Sequence, residues 1–347
     1  MAHKRIVVKI GTNLLTEKLC SLRADFISRI AKQIADLRKK GVEVLIVTSG
    51  AIGAGCQELN LKKSREIEVR QALAAVGQSS VMRAYHDAFS GYGIKVAQIL
   101  LTYEDFSNRK RYLHLRKAVD KLISLDVMPV INENDTISVD EIGATFGDND
   151  KLSALVASKV NADLLVMLSD IDGLYDKNPK TNKDAKLIRI VDSITKDIER
   201  AAGKSGSAFS IGGMLTKVKA ARIALDSGCD MVICNGRKKD ILSRAISGKE
   251  GTLFIAREKL SNRIRWIKFS RAKGKVIIDK GAEKALREGK SLLSVGIKKV
   301  EGDFDRKDII EINDAAKGIS DYSSKELEKI KGKKGKVAVK SGNIVLI

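Results

Sequence analysis

The sequence has few of the residues on which disulfide-rich, zinc-binding or histidine-dependent proteins rely. Its 347 residues include 4 Cys, 3 His and 2 Pro, and aromatic residues make up 4%. The cysteines form no C-x-x-C pair and are too sparse for a disulfide framework, so we expect small buried thiols. The histidines are isolated from one another in the chain, and we predict neither histidine catalysis nor a protein metal site.

Long apolar runs are also missing. No window reaches the ~18 uninterrupted apolar residues that a membrane helix needs. The apolar run behind the basic N-terminal residues is interrupted at Lys9, which makes it too short for the core of a signal peptide. We therefore expect a cytoplasmic protein with no membrane segment.

Negative charge is scarce relative to positive charge. The chain has 64 Lys and Arg against 43 Asp and Glu, a net charge of +21. An excess of this size favours nucleic acid as a partner. However, it is spread along the chain rather than gathered in one segment. Small anionic substrates therefore explain it equally well.

Short apolar, β-branched runs alternate with helical patterns up to residue 256. The runs predicted as strands are 5–10, 42–49, 94–101, 127–132, 164–169, 231–236 and 252–256. Runs that are apolar on both faces are typical of parallel strands covered by helices. The alternation predicts an α/β fold, in which helices cover both faces of a mostly parallel sheet.

The pattern changes near residue 257, where a basic stretch is followed by short strands and glycine turns. We predict a large domain over 1–257, a basic linker over 258–272 and a small, mostly-β domain over 273–347.

Polar or glycine-rich sequence follows four of the predicted strands. The four stretches are KIGTNLL, TSGAIGAG, VINEND and LSDIDGLY. Ligands of parallel sheets bind at the carboxyl ends of strands, so these stretches form the candidate site. A glycine turn that opens a helix presents unpaired backbone N–H groups to an anion. No G-x-x-x-x-G-K-[ST] motif occurs, and SGAIGAG is not the Rossmann fingerprint.

Two lysines add to the case for a phosphate ligand. Lys9 ends a predicted buried strand and needs a partner, for which Asp150 is a candidate. Lys217 follows the glycine pair of SIGGMLTKVKAA at the start of a helix. Lysines, glycine-rich helix openings and acid–amide clusters are typical of phosphoryl transfer. No general base is evident, which suits a carboxylate acceptor because it is already ionised at neutral pH.

Six motifs, in order over nearly the whole chain, closely resemble the glutamate-phosphorylating members of the amino acid kinase family. They are VVKIGTNLL, VTSGAIGAG, PVINENDT, GDNDKLSALVA, LSDIDGLY and GGMLTKVKAA. The tail resembles the PUA domain at the C-terminus of many bacterial members. The resemblance implies the αβα sandwich of amino acid kinases, followed by a mostly-β PUA domain. It also implies ATP-dependent phosphorylation of the γ-carboxylate of L-glutamate to L-glutamyl 5-phosphate, the first step of proline biosynthesis from glutamate.

The resemblance further implies roles for individual residues. Lys9 and Lys217 would neutralise the transferring phosphoryl group, and Asp150 would orient both lysines. The residues implied in glutamate binding are Ser49, Gly50, Ala51, Asn134, Asp135, Asp148 and Asn149. The residues implied in ATP binding are Lys9, Gly11, Ser169, Asp170, Ile211, Gly212, Gly213, Met214, Leu215, Thr216 and Lys217.

A zwitterionic substrate explains acid–amide clusters in a basic protein. The carboxylates of Asp135 and Asp148 suit an ammonium group, and the amides of Asn134 and Asn149 can donate to a carboxylate. The alternative, that the acidic residues at 140 and 141 only cap helices or form polar turns, stays open.

The resemblance also implies partners. They are ATP with Mg²⁺, proline as feedback inhibitor, a second copy of the chain in a homodimer or homotetramer, and glutamyl-phosphate reductase as recipient of the product. Two departures from the family pattern concern the site. Family members often have Thr at the positions of Ile211 and Ser169, so a hydroxyl is lost at the first and kept at the second. The 136–147 loop is slightly longer than usual.

Two other functions are compatible with the sequence. One is a kinase of the same fold that acts on aspartate, acetylglutamate, carbamate or a nucleoside monophosphate. A nucleotide acceptor would require additional Arg residues to bind its phosphate, whereas the sequence predicted to bind the acceptor contains Asn and Asp. The other is RNA binding through the PUA-like tail, which has few aromatic side chains for stacking beyond Phe304 and Tyr322.

Overall fold

The structure, a computed structural model, describes residues 3–16, 21–62, 64, 66–138, 149–179, 181–204, 213–257 and 259–347. The chain divides into two compact units, which we describe separately. The first unit comprises Met1–Asp105 and Lys110–Lys259. The second comprises Phe106–Arg109 and Leu260–Ile347.

The described part of the first unit contains one large sheet. Its strands are β1 Arg5–Ile10, β2 Glu43–Val47, β3 Val96–Leu101, β4 Met128–Glu133, β5 Leu164–Ser169, β6 Ile190–Val191, β7 Asp230–Asn235 and β8 Thr252–Phe254. The strand order is β3-β4-β2-β1-β5-β7-β8-β6. Only β7 and β8, among these described strands, pair antiparallel. The predicted mostly parallel α/β sheet is confirmed, and the seven predicted strands end within two residues of the observed ones.

Helices precede or follow most of these strands. They are α1 Thr12–Leu15, α2 Ala24–Lys39, α3 Ala51–Glu58, α4 Ile67–Ser90, α5 Tyr103–Ser107, α6 Arg109–Ser124, α7 Asp150–Lys159, α8 Lys196–Lys204, α9 Met214–Leu225 and α10 Ile241–Ile246. None of the helices in the described ranges is long and apolar enough to cross a membrane.

The core of the first unit lies between the sheet and its helices. On β1, Ile6, Val8 and Ile10 are fully buried. They pack in one cluster with the apolar face of α2, whose Ile27 and Ile30 recur at helical spacing. Burial on both faces fits the continuous apolar runs from which parallel strands were predicted.

Two glycines let helices α3 and α4 touch at the backbone. A Cβ atom added to Gly55 would lie 1.9 Å from the carbonyl oxygen of Leu73, and one added to Gly77 would lie 1.9 Å from that of Ala51. Gly50, by contrast, precedes α3 in the left-handed region with φ 95°. The glycines of SGAIGAG therefore divide between a tight turn and helix packing.

The second unit is mostly β. Its strands are β9 Gly274–Ile278, β10 Leu292–Leu293, β11 Ile297–Gly302, β12 Ile309–Ile312, β13 Ala316–Ile319, β14 Val337–Val339 and β15 Ile344–Leu346. Its helices are α11 Asn262–Phe269, α12 Lys280–Arg287 and α13 Ser324–Ile330. Five strands form a sheet in the order β11-β9-β12-β13-β15, and β10 pairs with β14. The predicted small, mostly-β domain is confirmed as a fold class.

The segment predicted as a linker, 258–272, contains helix α11. Ile267 on this helix is fully buried and packs against Ile309 and Ile319 of the small sheet. Trp266 Nε1 donates to the carbonyl oxygen of Ser107, 3.0 Å away within the same unit. The boundaries given above for the linker and its neighbours stay a prediction.

The described cysteines are buried, as the sequence predicts. Cys56, Cys229 and Cys234 are free thiols inside the first unit. Burial raises the pKa of the Cys234 thiol to about 12, so this side chain stays protonated at neutral pH.

Candidate active site

The four stretches singled out in the sequence meet at one edge of the large sheet. Strands β4, β2, β1 and β5 are neighbours and run parallel, so their carboxyl ends lie side by side. Lys9 lies near the end of β1, with Val47 of β2 and Met167 of β5 as its register partners. This edge is where parallel sheets bind their ligands.

A buried cluster of one carboxylate and two ammonium groups occupies this edge. Lys9 Nζ lies 2.6 Å from Oδ1 of Asp150, and Lys217 Nζ lies 2.9 Å from Oδ2 of the same residue. Asp150 is fully buried, and the lysines are 2% and 5% exposed. Each oxygen of the carboxylate therefore binds a different lysine.

Three elements that are far apart in the sequence bring this cluster together. Lys9 comes from β1, Asp150 is the first residue of α7, and Lys217 lies in the first turn of α9. Thr216 Oγ1 lies 3.0 Å from Asp150 Oδ2 and 2.7 Å from the carbonyl oxygen of Gly213, and its one hydrogen can be donated to either acceptor. Thr216 thus links the start of α9 to the carboxylate.

The electrostatics of the cluster favour an anion. The three side chains of the cluster carry two positive charges and one negative charge, a sum of +1, because both lysines share the same carboxylate. Charges removed from water interact strongly with a further charge that enters the same site. The cluster is therefore suited to bind a negatively charged group.

The start of α9 offers backbone donors beside the cluster. Gly213 precedes the helix in an extended conformation, and a Cβ atom added to it would meet nothing within 4 Å. The first N–H groups of a helix have no intrahelical acceptors and carry the positive end of the helix dipole. Of the neighbouring predicted residues, Met214 and Leu215 are the first two of the helix, whereas Ile211 and Gly212 lie outside the described residues.

The end of β5 carries two more of the residues predicted to bind ATP. Ser169 Oγ lies 3.3 Å from Oδ1 of Asp170, and Asn13 Nδ2 donates to Oδ2 of Asp170 at 3.1 Å. Gly11 N donates to the carbonyl oxygen of Leu168 at 3.1 Å. These bonds tie the turn after β1 to the end of β5.

The end of β2 meets the residue before α7. Ser49 and Asn149 are 5% exposed, and Asn149 Nδ2 lies 3.3 Å from Ser49 Oγ. Gly50 and Ala51, which follow Ser49, form the turn and the first residue of α3. The structure therefore brings together four of the residues predicted to bind the acceptor.

The amide of Asn149 is engaged by the protein through its nitrogen. Nδ2 donates to the carbonyl oxygen of Thr48 at 2.6 Å and to Oδ1 of Asn132 at 2.8 Å. An amide nitrogen has two hydrogens, so these two acceptors use both. A ligand would thus meet the amide oxygen, whereas the sequence had indicated donation to a carboxylate.

The turn after β4 holds the other predicted acceptor residues. Asn134 N donates to the carbonyl oxygen of Leu101 at 2.8 Å. Asp135 and Arg70 line an open pocket of about 230 Å³ of empty space. The remaining lining residues are Ile52, Ile67, Gln71 and Ser138. Asp148 lies outside the described residues.

A buried carboxylate stands next to this turn. Glu133, the last residue of β4, is 8% exposed and accepts a hydrogen bond from Ser138 Oγ at 2.8 Å. Burial raises the pKa of Glu133, although the Ser138 hydrogen bond and the positive charge of Arg70 oppose this effect.

Sequence reasoning missed Asn132, Gln78 and Arg70. Asn132 is 2% exposed and sits inside an otherwise apolar strand. A buried amide requires hydrogen-bond partners, so its position was a usable signal. Gln78 and Arg70 belong to helix α4 and carry no motif signal of their own.

Comparison with known proteins agrees with this architecture. Residues 4–235 match the profile of the amino acid kinase family, and residues 274–341 match that of the PUA domain. Among solved structures, the chain is similar in fold to carbamate kinase from Giardia lamblia bound to AMP-PNP, with TM-score 0.54, 16% identity and coverage of 73% of this chain and 99% of that one. It is likewise similar to UMP kinase from Ureaplasma parvum, with TM-score 0.51, 16% identity and coverage of 74% and 100%.

Curated relatives are much closer in sequence. Glutamate 5-kinase of Methanosarcina barkeri is 52% identical, covering 94% of this chain and 89% of that protein. Glutamate 5-kinase of Geobacter metallireducens is 49% identical, covering 95% and 90%. With the buried Lys9–Asp150–Lys217 cluster on an amino acid kinase sheet, this identity over nearly the full length shows that the chain belongs to the glutamate 5-kinase branch of the amino acid kinase family, with a C-terminal PUA domain.

Proposed function

We propose that the protein transfers the γ-phosphoryl group of ATP to the γ-carboxylate of L-glutamate, which gives L-glutamyl 5-phosphate and ADP. The observation that carries the proposal is the buried cluster of Lys9, Asp150 and Lys217 beside the first turn of α9. The names of the relatives, all glutamate 5-kinases at about half identity, supply the acceptor.

In the proposed reaction a carboxylate oxygen of glutamate attacks the γ-phosphorus, and the bond from that phosphorus to the bridging oxygen of ADP breaks. The nucleophile is already ionised, so no residue has to remove a proton. The main obstacle is the repulsion between a carboxylate and a polyphosphate. Lys9 and Lys217 reduce this repulsion, and Asp150 holds both ammonium groups in place before the substrates arrive.

The proposal assigns the nucleotide and the acceptor to adjacent parts of the sheet edge. The start of α9 and the end of β5, with Gly213 and Ser169, would hold the phosphates and nucleoside of ATP. The ends of β2 and β4, with Ser49 and Asp135, would hold glutamate. The lysine cluster between them is where the two substrates would meet.

Four further expectations belong to the same proposal and rest on family membership. Mg²⁺ accompanies ATP; it binds mainly through nucleotide phosphates and water and so needs no dedicated protein cage. Proline inhibits at or over the glutamate site. The chain assembles as a homodimer or homotetramer, and the product passes to glutamyl-phosphate reductase. RNA binding by the PUA domain is tested separately, by retention of the full chain on RNA at moderate salt.

The test is ADP release from Mg-ATP with a panel of acceptors: L-glutamate, L-aspartate, N-acetyl-L-glutamate, carbamate and UMP. Hydroxylamine in the assay converts an acyl phosphate to a hydroxamate. We expect turnover and hydroxamate with glutamate, and suppression by proline. Turnover on another acceptor alone would overturn the assignment of glutamate while leaving the nucleotide half intact.

A further inference from the structure

A chain of four side-chain amides runs from the candidate site to the edge of the sheet. Asn149 Nδ2 donates to Asn132 Oδ1 at 2.8 Å, and Asn132 Nδ2 donates to Gln78 Oε1 at 2.8 Å. Gln78 Nε2 then donates to Gln98 Oε1 at 3.2 Å. Gln98 lies exposed on β3, the edge strand, so one end of the chain is at the site and the other is at the surface.

A single backbone carbonyl sets the direction of this chain. The carbonyl oxygen of Thr48 can only accept, and it lies 2.6 Å from Asn149 Nδ2. The amide nitrogen of Asn149 must therefore point towards β2 and β4. Asn132 must then accept the hydrogen bond from Asn149 with its amide oxygen. By the same reasoning, the amide nitrogen of Asn132 donates to the amide oxygen of Gln78, and the amide nitrogen of Gln78 donates to the amide oxygen of Gln98. The Thr48 carbonyl thus selects the orientation of the Asn149 amide, and Asn132, itself oriented by Gln78, fixes it by accepting the second hydrogen of Nδ2.

The two middle amides of this hydrogen-bonded series are buried, and packing of helix α4 holds Gln78 in position. Asn132 is 2% exposed and Gln78 is 9% exposed. Gln78 follows Gly77, whose close contact with the carbonyl oxygen of Ala51 fixes helix α4 against α3. A buried amide that reversed its orientation would leave a donor facing a donor, which is unfavourable without water to compensate.

We propose that Asn132 and Gln78 are positioning residues that hold the Asn149 amide with its oxygen available to the acceptor substrate. This inference rests on the proposed function, in which Asn149 contacts glutamate. An amide oxygen in this position accepts from a donor, so its partner would be the ammonium group of the amino acid. Asn132 and Gln78 touch no substrate and act only through Asn149.

The test compares two substitutions at Gln78 in the full-length protein. Gln78→Leu removes the acceptor for Asn132 Nδ2 and frees that amide to turn over. Gln78→Glu keeps an oxygen that can accept the same hydrogen bond. We expect Gln78→Leu to raise KM for glutamate about 10-fold, with KM for ATP and kcat within about threefold of wild type, because a ground-state contact is weakened. We expect Gln78→Glu to remain within about threefold of wild type on all three parameters.

A second pair keeps the test decisive if Gln78→Leu does not fold. Asn132→Asp retains an oxygen that accepts from Asn149, and Asn132→Leu does not. The expected order is the same, with a raised KM for glutamate only in the leucine variant. Ser79→Ala, an exposed change on the same helix, serves as the matched control and should leave every parameter unchanged.

The outcomes separate this inference from the proposed function. If wild-type protein turns over glutamate but the leucine variants lose only thermal stability, with KM for glutamate unchanged, the amides are structural and the inference is wrong. It is also wrong if the acceptor-retaining variants are impaired as much as the leucine variants. If wild-type protein does not turn over glutamate at all, the proposed function is wrong, and the inference that rests on it is wrong as well.

Discussion

The ammonium nitrogen of Lys9 lies 2.6 Å from a carboxylate oxygen of Asp150, although 141 positions separate the two residues in the chain. Both side chains are almost completely buried. Lys217 binds the other oxygen of the same carboxylate, so one aspartate holds two lysines at the centre of the candidate site. The first two predictions follow from this arrangement.

Removal of one lysine should impair catalysis far more than folding. In Lys217→Ala, Asp150 keeps Lys9 as a partner, but the site loses one of the two positive charges that we propose face the transferring phosphoryl group. We expect kcat to fall by roughly 100-fold or more, as for other groups that stabilise developing negative charge. Steady-state kinetics measure this effect. Lys219→Ala, an exposed lysine two residues further along α9, is the control and should retain wild-type kcat; equal losses in both variants would contradict the assigned role.

Removal of the shared carboxylate should destabilise the fold. Asp150→Asn removes the carboxylate that two buried ammonium groups share, and breaking a buried ion pair in this way costs about 3–5 kcal/mol. Urea unfolding of the variant measures the loss. Asp87→Asn, at a side chain 70% exposed, should change stability little. In the double variant Asp150→Asn/Lys217→Met part of the stability should return, and its absence would argue against charge repulsion as the cause.

The contact between α3 and α4 should not tolerate a side chain at position 77. A Cβ atom there would lie 1.9 Å from the carbonyl oxygen of Ala51, which is backbone and cannot rotate away. Gly77→Ala should therefore separate the helices and lower the free energy of unfolding by about 1–3 kcal/mol or more, the usual range for overpacking. In Gly203→Ala, within α8, the new Cβ meets nothing within 4 Å, and stability should stay equal or rise slightly. Thermal unfolding of both variants distinguishes a steric effect from a general effect of Gly→Ala.

The buried carboxylate of Glu133 should make stability depend on pH. Burial raises its pKa in the folded state above the ordinary value of 4.5, so the folded protein binds this proton more tightly than the unfolded chain does. The resulting stability is fully present below pH 4.5 and is lost as the pH rises through the folded-state pKa. We expect Glu133→Gln to gain stability relative to wild type between pH 4.5 and pH 7.

The measurement is urea unfolding of wild type and Glu133→Gln at a series of pH values. Glu104→Gln, at an exposed carboxylate, is the control and should follow wild type across the series. The stability of wild type relative to Glu133→Gln could instead stay constant with pH or increase as the pH rises. Either result would show that burial does not raise the pKa of Glu133 in the folded state.

Much of the first unit was predictable because the determining signals are local. A parallel strand covered on both faces requires an apolar run such as RIVVKI, and β1 occupies those residues with all but the first buried. The ends of the seven predicted strands were predictable to within two residues, because polar and glycine residues interrupt the apolar pattern. Lys9 needed a buried partner for the same local reason, and Asp150 was the correct candidate.

Other features depend on which distant elements meet, and no local pattern contains that information. The sequence indicated a glycine-rich turn that opens a helix in SGAIGAG but not that Gly55 faces the backbone of Leu73 on another helix. Similarly, the amide of Asn149 was expected to donate to substrate. Its nitrogen is instead used by Thr48 and Asn132, and these bonds exist only because the ends of β2 and β4 lie beside the start of α7.

The sequence by itself determined the strand positions, the order of the motifs and, through the family resemblance, the residue types that gather at the sheet edge. Only the tertiary structure decided how those residues share their hydrogen bonds and charges. Apolar periodicity acts over a few neighbouring residues, but a buried carboxylate or amide can bind only the groups that packing places within about 3 Å of it. For Asp150 those groups include Lys9 and Lys217, 141 and 67 residues away.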